Sequence, residues 1–262
     1  MPDQKIRFDD GAAYERMMGV WSRRVGEDFL EWLKLPAGLK CVDVGCGNGA
    51  FTELLAERCQ PEEVQGIDPS PEQIAYARAR HTAKIAEFRQ GDAMALPFPD
   101  DGFDAAIMAL VIFFVPEPAK GVAEMARVVR PGGAVAAYAW DMLGGGFPMA
   151  PILSEVRPLG KETVGPPRAE ASRMEALREL WVNAGLEGVE TRKITVQRTF
   201  TNFDDFWASS TATGSVRLTV DALSRDEAET VRTRLRAKLP ADAEGRITYS
   251  SFANAIKGRV RN

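Results

Sequence analysis

An acid, Asp43, stands two residues ahead of glycines at 45, 47 and 49 in the run Cys41-Val42-Asp43-Val44-Gly45-Cys46-Gly47-Asn48-Gly49-Ala50-Phe51. Glycines so spaced let the backbone turn tightly and approach a ligand where a Cβ would collide. A helix beginning at Ala50 would aim its unpaired N–H groups at the same place. Gly45, Gly47 and Ala50 also satisfy the G-x-G-x-x-G/A dinucleotide fingerprint, and Asp68 lies at about the distance of a ribose-binding acid.

Charge separates the candidate ligands. A dinucleotide would bring its pyrophosphate to this turn, where the Asp43 carboxylate repels it. The α-ammonium and sulfonium of S-adenosylmethionine would instead be attracted. A purely architectural Asp43, bracing the turn through backbone N–H groups, stays open beside both.

The elements that must hold these residues alternate. Lys40–Val44 and Glu63–Ile67 are short apolar or β-branched runs flanking a helical stretch that ends at Cys59, which makes a first βαβ unit. Pro71–Arg80 reads as a helix with Ser70 as N-cap, Ala86–Gln90 and Phe103–Leu110 as strands, and Pro118–Val129 as a helix with Val122, Met125, Ala126 and Val129 on one face. After the turn Arg130-Pro131-Gly132-Gly133, Ala134–Trp140 is another strand. Such alternation predicts an α/β fold with a doubly wound parallel sheet. The rhythm then breaks at Gly144-Gly145-Gly146 and a Pro-rich stretch, read as an insertion. Ser172–Ala184 is a helix closed by Gly185, and Val189–Thr199 alternates as a strand. Helical stretches follow at Phe203–Ser209 and Ser224–Leu239, the latter opened by a Ser224/Glu227 capping box. Arg246–Ile256 reads as a closing strand that hairpins beside Val189–Thr199.

Composition bounds the function. The chain has 262 residues, 45% hydrophobic and 27% charged, which suits one elaborated globular domain. A formal net charge of -4 supplies no basic field for nucleic acid. No apolar run reaches a membrane span, and Met1–Asp10 has no apolar core, so a cytoplasmic protein without a membrane partner is expected. Three cysteines, Cys41, Cys46 and Cys59, lack C-x-x-C spacing; reduced, packed thiols and no metal site are expected. The single histidine, His81, reads as a solvated surface residue at the end of its helix.

Ordered signals at successive strand ends carry a family resemblance: Val42-Asp43-Val44-Gly45-Cys46-Gly47-Asn48-Gly49, Gly66-Ile67-Asp68-Pro69-Ser70, Gly91-Asp92-Ala93 with Leu96-Pro97-Phe98, Phe103-Asp104, and Arg130-Pro131-Gly132-Gly133. From about Tyr14 to Trp140 the chain resembles the class I S-adenosylmethionine-dependent methyltransferases, in the small-molecule branch that includes the ubiquinone/menaquinone C-methyltransferases. The resemblance implies a Rossmann-like, seven-stranded, mostly parallel sheet with an antiparallel last strand and helical insertions. It divides the chain into an N-terminal helical lid (1–38), a cofactor-binding core (39–141), an insertion or lid (142–171), and a C-terminal part of the same domain (172–262) with a helical insertion at 200–244.

Carried over by position, the resemblance implies that Asp43 and the Gly45–Gly49 turn, with Cys46 and Gly47, hold the methionine end. Asp68, followed by Pro69 and Ser70, would accept from both ribose hydroxyls, Asp92 from the adenine amino group, and Ala93 would offer its N–H to the ring. Leu110 would run along the homocysteine portion, S-adenosylhomocysteine being the product. Many relatives carry histidine where Phe113 and Phe114 stand, so no histidine base is expected, and Tyr14 or Asp141 are the candidate catalytic groups. Tyr14, Trp21, Phe113, Phe114 and Trp140 would wall a pocket for a small, aromatic or apolar metabolite. A cofactor-binding protein without catalysis, a nicotinamide-dependent oxidoreductase, and a homodimer are the alternatives left standing.

Overall fold

A computed structural model describes residues 15–80, 85–161, 163, 165–212 and 214–262. Seven strands form one sheet: β1 Lys40–Val44, β2 Glu63–Asp68, β3 Ala86–Gln90, β4 Phe103–Ala109, β5 Val129–Trp140, β6 Glu187–Phe200 and β7 Ile247–Arg259. Their order is β3-β2-β1-β4-β5-β7-β6. The first five are mutually parallel, and β7 runs antiparallel to β5 from Ala134↔Arg259 to Trp140↔Ala253. The chain leaves β1 toward β2 and β3, then returns to β4 on the other side. Connections therefore diverge between the carboxyl ends of β1 and β4, where open α/β sheets leave a crevice for ligands.

Burial explains the strand compositions. Val42, Asp43 and Val44 of β1 and Ala105 to Met108 of β4 are inaccessible because helices cover both faces, which is why these strands are continuous apolar runs rather than alternating ones. α1 (Val20–Leu33) presents Trp21, Val25, Phe29 and Leu33 four residues apart, all buried. The Phe29 ring lies 4.7 Å from that of Tyr138 on β5 and 6.3 Å from that of Phe51 on α2 (Ala50–Cys59). Burying an aromatic ring of this size is worth roughly 1.5–3 kcal/mol. On the other face, Val122, Met125 and Val128 of α4 (Pro118–Val128) join β4 and β5 in the core. There α6 (Met174–Asn183) inserts Trp181, whose Nε1 donates to the Val135 carbonyl at 3.0 Å.

Local signals set most boundaries. Ser70 accepts from the Gln73 N–H at the start of α3 (Pro71–Arg78), whose last turn stops two residues short of the Arg80 read from the sequence. Strand pairing in β5 begins at Val129, earlier than the Ala134 expected. Val129 pairs with Phe103, and the next ladder pair is Ala134 with Ala105, so Arg130–Gly133 forms a bulge. Pro131 has no N–H to give the ladder, and Gly132 adopts φ +75°. Two short helices were not foreseen, α5 (Ala150–Val156) inside the Pro-rich stretch and α8 (Gly214–Asp221).

The described chain separates into two compact units. The larger contains Arg23–Gly144, Pro166–Ile194 and Ala253–Asn262; the smaller contains residues through Ser22, Gly145–Gly165 and Thr195–Phe252. Within the smaller unit, Trp21 packs edge-on against Tyr249 at 6.0 Å and near Phe200 at 6.5 Å. Arg232 and Arg236 of α9 (Arg225–Lys238) lie over the Phe203 ring of α7 (Phe203–Ser210), and Lys238 pairs with the buried Glu155. The predicted Ser224/Glu227 capping box is formed. Among the described residues, no helix is long and apolar enough to cross a membrane.

Candidate functional site

β1 delivers Asp43 to the centre of the sheet, paired in register with Gly66 of β2 and Ile107 of β4. The chain then turns at Gly45 (φ +79°), Gly47 (φ +52°) and Gly49 (φ +81°) into α2. The turn is pinned from outside. The N–H groups of Gly45 and Cys46 both donate to the Ile67 carbonyl, at 2.7 and 2.9 Å, and Arg80 Nε donates to the Asn48 carbonyl at 2.8 Å. A Cβ at Gly45 would lie 2.5 Å from both γ carbons of Val111, and one at Gly49 would press on Ala77 and Phe88 at 3.2 Å. At Gly47 a Cβ would meet nothing within 4 Å. Two glycines thus permit close packing, and the middle one faces open space.

Asp43 is fully buried. Its Oδ2 accepts from Thr52 Oγ1 at 2.6 Å, and its Oδ1 has no partner. Burial pushes its carboxyl up to about 7; the Thr52 hydroxyl opposes that rise and the nearby Asp68 charge adds to it. Asp68, at the end of β2, is better served. Its Oδ2 accepts from the Gly47 N–H and its Oδ1 from the Ser70 N–H, both at 2.9 Å. Burial still raises its carboxyl above the usual range, with those two N–H bonds pulling the other way. Asp68 therefore braces the glycine turn and opens an Asx turn at Pro69-Ser70, while each oxygen keeps a lone pair for a further donor.

Asp92 is exposed and uses Oδ1 to accept from the Met94 N–H at 2.8 Å; Ala93 rests against the core. The loop beyond is held from α4, where Glu124 accepts from the Leu96 N–H and Arg127 donates to the Leu96 and Phe98 carbonyls. Leu110 follows β4 at φ +62°, a left-handed conformation that costs a residue with a Cβ about 1–2 kcal/mol. Its N–H donates to the Tyr138 carbonyl at 2.8 Å, and this twist sets Val111 over Gly45.

Of the aromatic residues singled out, Phe113 is buried in the core, with Phe114 edge-on at 4.8 Å and 38% exposed. Trp140 is buried at the carboxyl end of β5, its Nε1 without a partner. Trp21 belongs to the smaller unit and its Nε1 is likewise unpartnered. Tyr14 and His81 lie outside the described residues. Asp141 is engaged on both oxygens, by the Gly144 N–H at 2.6 Å and Asn254 Nδ2 at 3.1 Å. Asn254 also donates to the Ser172 carbonyl at 2.9 Å, and Ser172 Oγ accepts from the Met142 N–H. Cys41, Cys46 and Cys59 are free, buried thiols, raised in pKa by burial.

Sequence reasoning passed over Thr52, Val111 and Asn254. Thr52 carried a signal: an acid inside a buried strand needs a donor, and a hydroxyl one turn into the following helix can reach it. Val111 and Asn254 act through contacts across 66 and 113 positions, for which local pattern holds no sign.

Residues 42–137 match the family described as "Methyltransferase domain", a stretch from β1 through most of β5. A 2-methyl-6-phytyl-1,4-hydroquinone methyltransferase of Oryza sativa subsp. japonica is 40% identical over 116 residues, covering 44% of this chain and 33% of that protein. A demethylmenaquinone methyltransferase of Geobacillus stearothermophilus is 37% identical over 133 residues, covering 47% and 56%. The chain thus spans between a third and somewhat over half of these relatives' lengths. The crystal structure of the YcgJ protein of Bacillus subtilis superposes over 91% of this chain and 99% of its own, with a TM-score of 0.61 at 19% identity, a likeness of fold. The seven-stranded sheet and the matching stretch coincide: residues 42–137, from β1 to β5, are where this chain is similar to the methyltransferase domain family.

Proposed function

We propose that the protein is an S-adenosylmethionine-dependent methyltransferase acting on a small, aromatic or apolar metabolite, with S-adenosylhomocysteine as product. The observation that carries this reading is the pairing of a buried carboxylate, Asp43, with the open face of Gly47 and the half-satisfied Asp68 at adjacent strand ends. A cationic amino-acid moiety over the turn supplies the charge that Asp43 lacks, and Asp68 retains acceptors for two hydroxyls. A diphosphate would bring no positive charge to balance Asp43 and would meet the Asp68 carboxylate.

Bound S-adenosylmethionine would supply a methyl group already made electrophilic by its own sulfonium. The protein's work is then to orient and to exclude water, and positioning of that kind is worth roughly 7–11 kcal/mol. Asp43 and the glycine turn hold the methionine end, Asp68 the ribose, Asp92 and Ala93 the adenine, and Leu110 lies along the thioether. Trp140, Phe113 and Phe114, at the carboxyl ends of β4 and β5, are assigned to the acceptor's side. The names of the relatives, a 2-methyl-6-phytyl-1,4-hydroquinone methyltransferase and a demethylmenaquinone methyltransferase, support a flat apolar acceptor. The sulfonium already activates the methyl group and phenylalanines stand at 113 and 114, so the acceptor is one that arrives nucleophilic, a phenolate, an activated carbon, an amine or a thiolate, with Asp141 and Tyr14 kept as candidate bases.

Calorimetry with S-adenosylhomocysteine tests the cofactor assignment, and absence of binding at millimolar ligand rejects it. Turnover is tested with a panel of hydroquinones and phenols and labelled S-adenosylmethionine. Binding without product from any of them favours a non-catalytic cofactor-binding role.

A further inference from the structure

The two carboxylates at the ends of β1 and β2 are not equivalent. Asp68 accepts two backbone N–H bonds, one per oxygen. Asp43 receives one neutral hydroxyl, from Thr52, on Oδ2 and nothing on Oδ1, at zero exposure. The titratable groups facing Asp43 are Asp68 on β2, Cys46 in the turn and Cys41 on its own strand; none of them brings positive charge. Among the described residues, no cation pairs with it. An ionised carboxylate in this position would be buried, singly hydrogen-bonded and beside a second anion. The neutral acid leaves one polar atom unpaired, which is the smaller penalty.

We propose that Asp43 holds a proton in the cofactor-free protein and releases it to solvent when a cationic ligand seats on the Gly45–Gly49 turn, so that cofactor binding and deprotonation are one event. The Asp43 O–H bond breaks, the proton passes to water or buffer, and the carboxylate charge is balanced by the ligand's ammonium. This inference rests on the S-adenosylmethionine reading above. Burial raises the Asp43 carboxyl to about 7, so the release falls where proton occupancy changes near neutral pH. Thr52 holds the carboxyl in one orientation through the change.

Titration calorimetry of the full chain with S-adenosylhomocysteine, in phosphate and in imidazole at matched pH, measures protons released per ligand bound. The expected release is close to one at pH 6, about one half at pH 7 and near zero at pH 8, following a single group titrating near neutrality. Asp43→Asn should bind with the same heat in both buffers. Infrared difference spectra of the unmodified chain should lose a protonated-carboxyl C=O band on ligand addition, which keeps the test independent of whether the variant folds. Binding with buffer-independent heat from pH 6 to 8, or equal release from Asp43→Asn, overturns the proton-release proposal while leaving the cofactor assignment standing. No binding heat under any condition overturns the cofactor assignment and this inference with it.

Discussion

The three glycines of the turn should fail in different ways when given a methyl group, and Gly45→Ala against Gly47→Ala is the informative pair. At Gly45, alanine would be held at φ +79°, costing about 1–2 kcal/mol. Its Cβ would lie 2.5 Å from both γ carbons of Val111, an overlap that a packed site relieves only at about 1–3 kcal/mol. The sum, about 2–5 kcal/mol, is a large part of a typical domain's stability of roughly 5–15 kcal/mol. At Gly47 only the conformational cost remains, since the new Cβ would meet nothing within 4 Å. That methyl would instead project into the space assigned to the cofactor. Urea unfolding should therefore show a large loss for Gly45→Ala and a loss of about 1–2 kcal/mol for Gly47→Ala. Calorimetry should show Gly47→Ala folded yet impaired in binding S-adenosylhomocysteine. Val111→Ala removes the two carbons in question, so the double variant Gly45→Ala/Val111→Ala should recover the overlap, a coupling of about 1–3 kcal/mol. Equal stability losses at the two glycines, or no coupling with Val111, would refute the packing argument; unchanged affinity in Gly47→Ala would refute the placement of the ligand.

Asp68→Ala should weaken S-adenosylhomocysteine binding by about 1–3 kcal/mol, because it strands the Gly47 and Ser70 N–H groups as well as the ribose hydroxyls; an unchanged dissociation constant contradicts that role. For Asp43 the folded-state pKa is raised, to about 7 from 3.8, so its contribution to stability is complete below about pH 4 and lost as pH climbs through 7. Asp43→Asn removes that loss and should stabilise the cofactor-free protein at pH 8 relative to pH 5 by about 3 kcal/mol, from the two pH units between 5 and 7. Thermal melts at the two pH values check this, and a pH-independent difference counts against a buried, titrating Asp43. Trp181→Phe should cost about 1–3 kcal/mol in urea unfolding, since it removes the indole's hydrogen bond to the Val135 carbonyl and part of a fully buried ring. A variant as stable as the parent would mean that water or another group replaces the indole.

The part of the fold that local chemistry dictates was readable in the sequence. β1 to β4 and the helices between them each carry their own periodicity, and Ser70 and the Ser224/Glu227 box announce helix starts through side-chain oxygens placed for free N–H groups. Asp43 and Asp68 could be named because strand ends in an alternating sheet converge. What stayed hidden depends on distant residues. The bulge at Arg130–Gly133 arises from pairing with Phe103 and Ala105 and has no counterpart in the apolar pattern of β5. α5 follows a Pro-rich, Gly-rich segment that predicts loop, yet Ile152 and Val156 on one face are buried and hold it helical. Asp141 shows the same dependence on distance: besides the nearby Gly144 N–H it accepts from Asn254 on β7, a contact that no local pattern announces.

The sheet order has a consequence for synthesis. Among the described residues, β6 joins the sheet through β7, which lies between it and β5. A nascent chain emerging amino end first can assemble β1 to β5 as soon as they clear the ribosome, but β6 must wait, unpaired, until β7 arrives. During that interval β5 shows a bare margin from Ala134 to Trp140, an apolar template open to any passing strand. The interval between translating Phe200 and Arg259 is therefore when a chaperone would matter most.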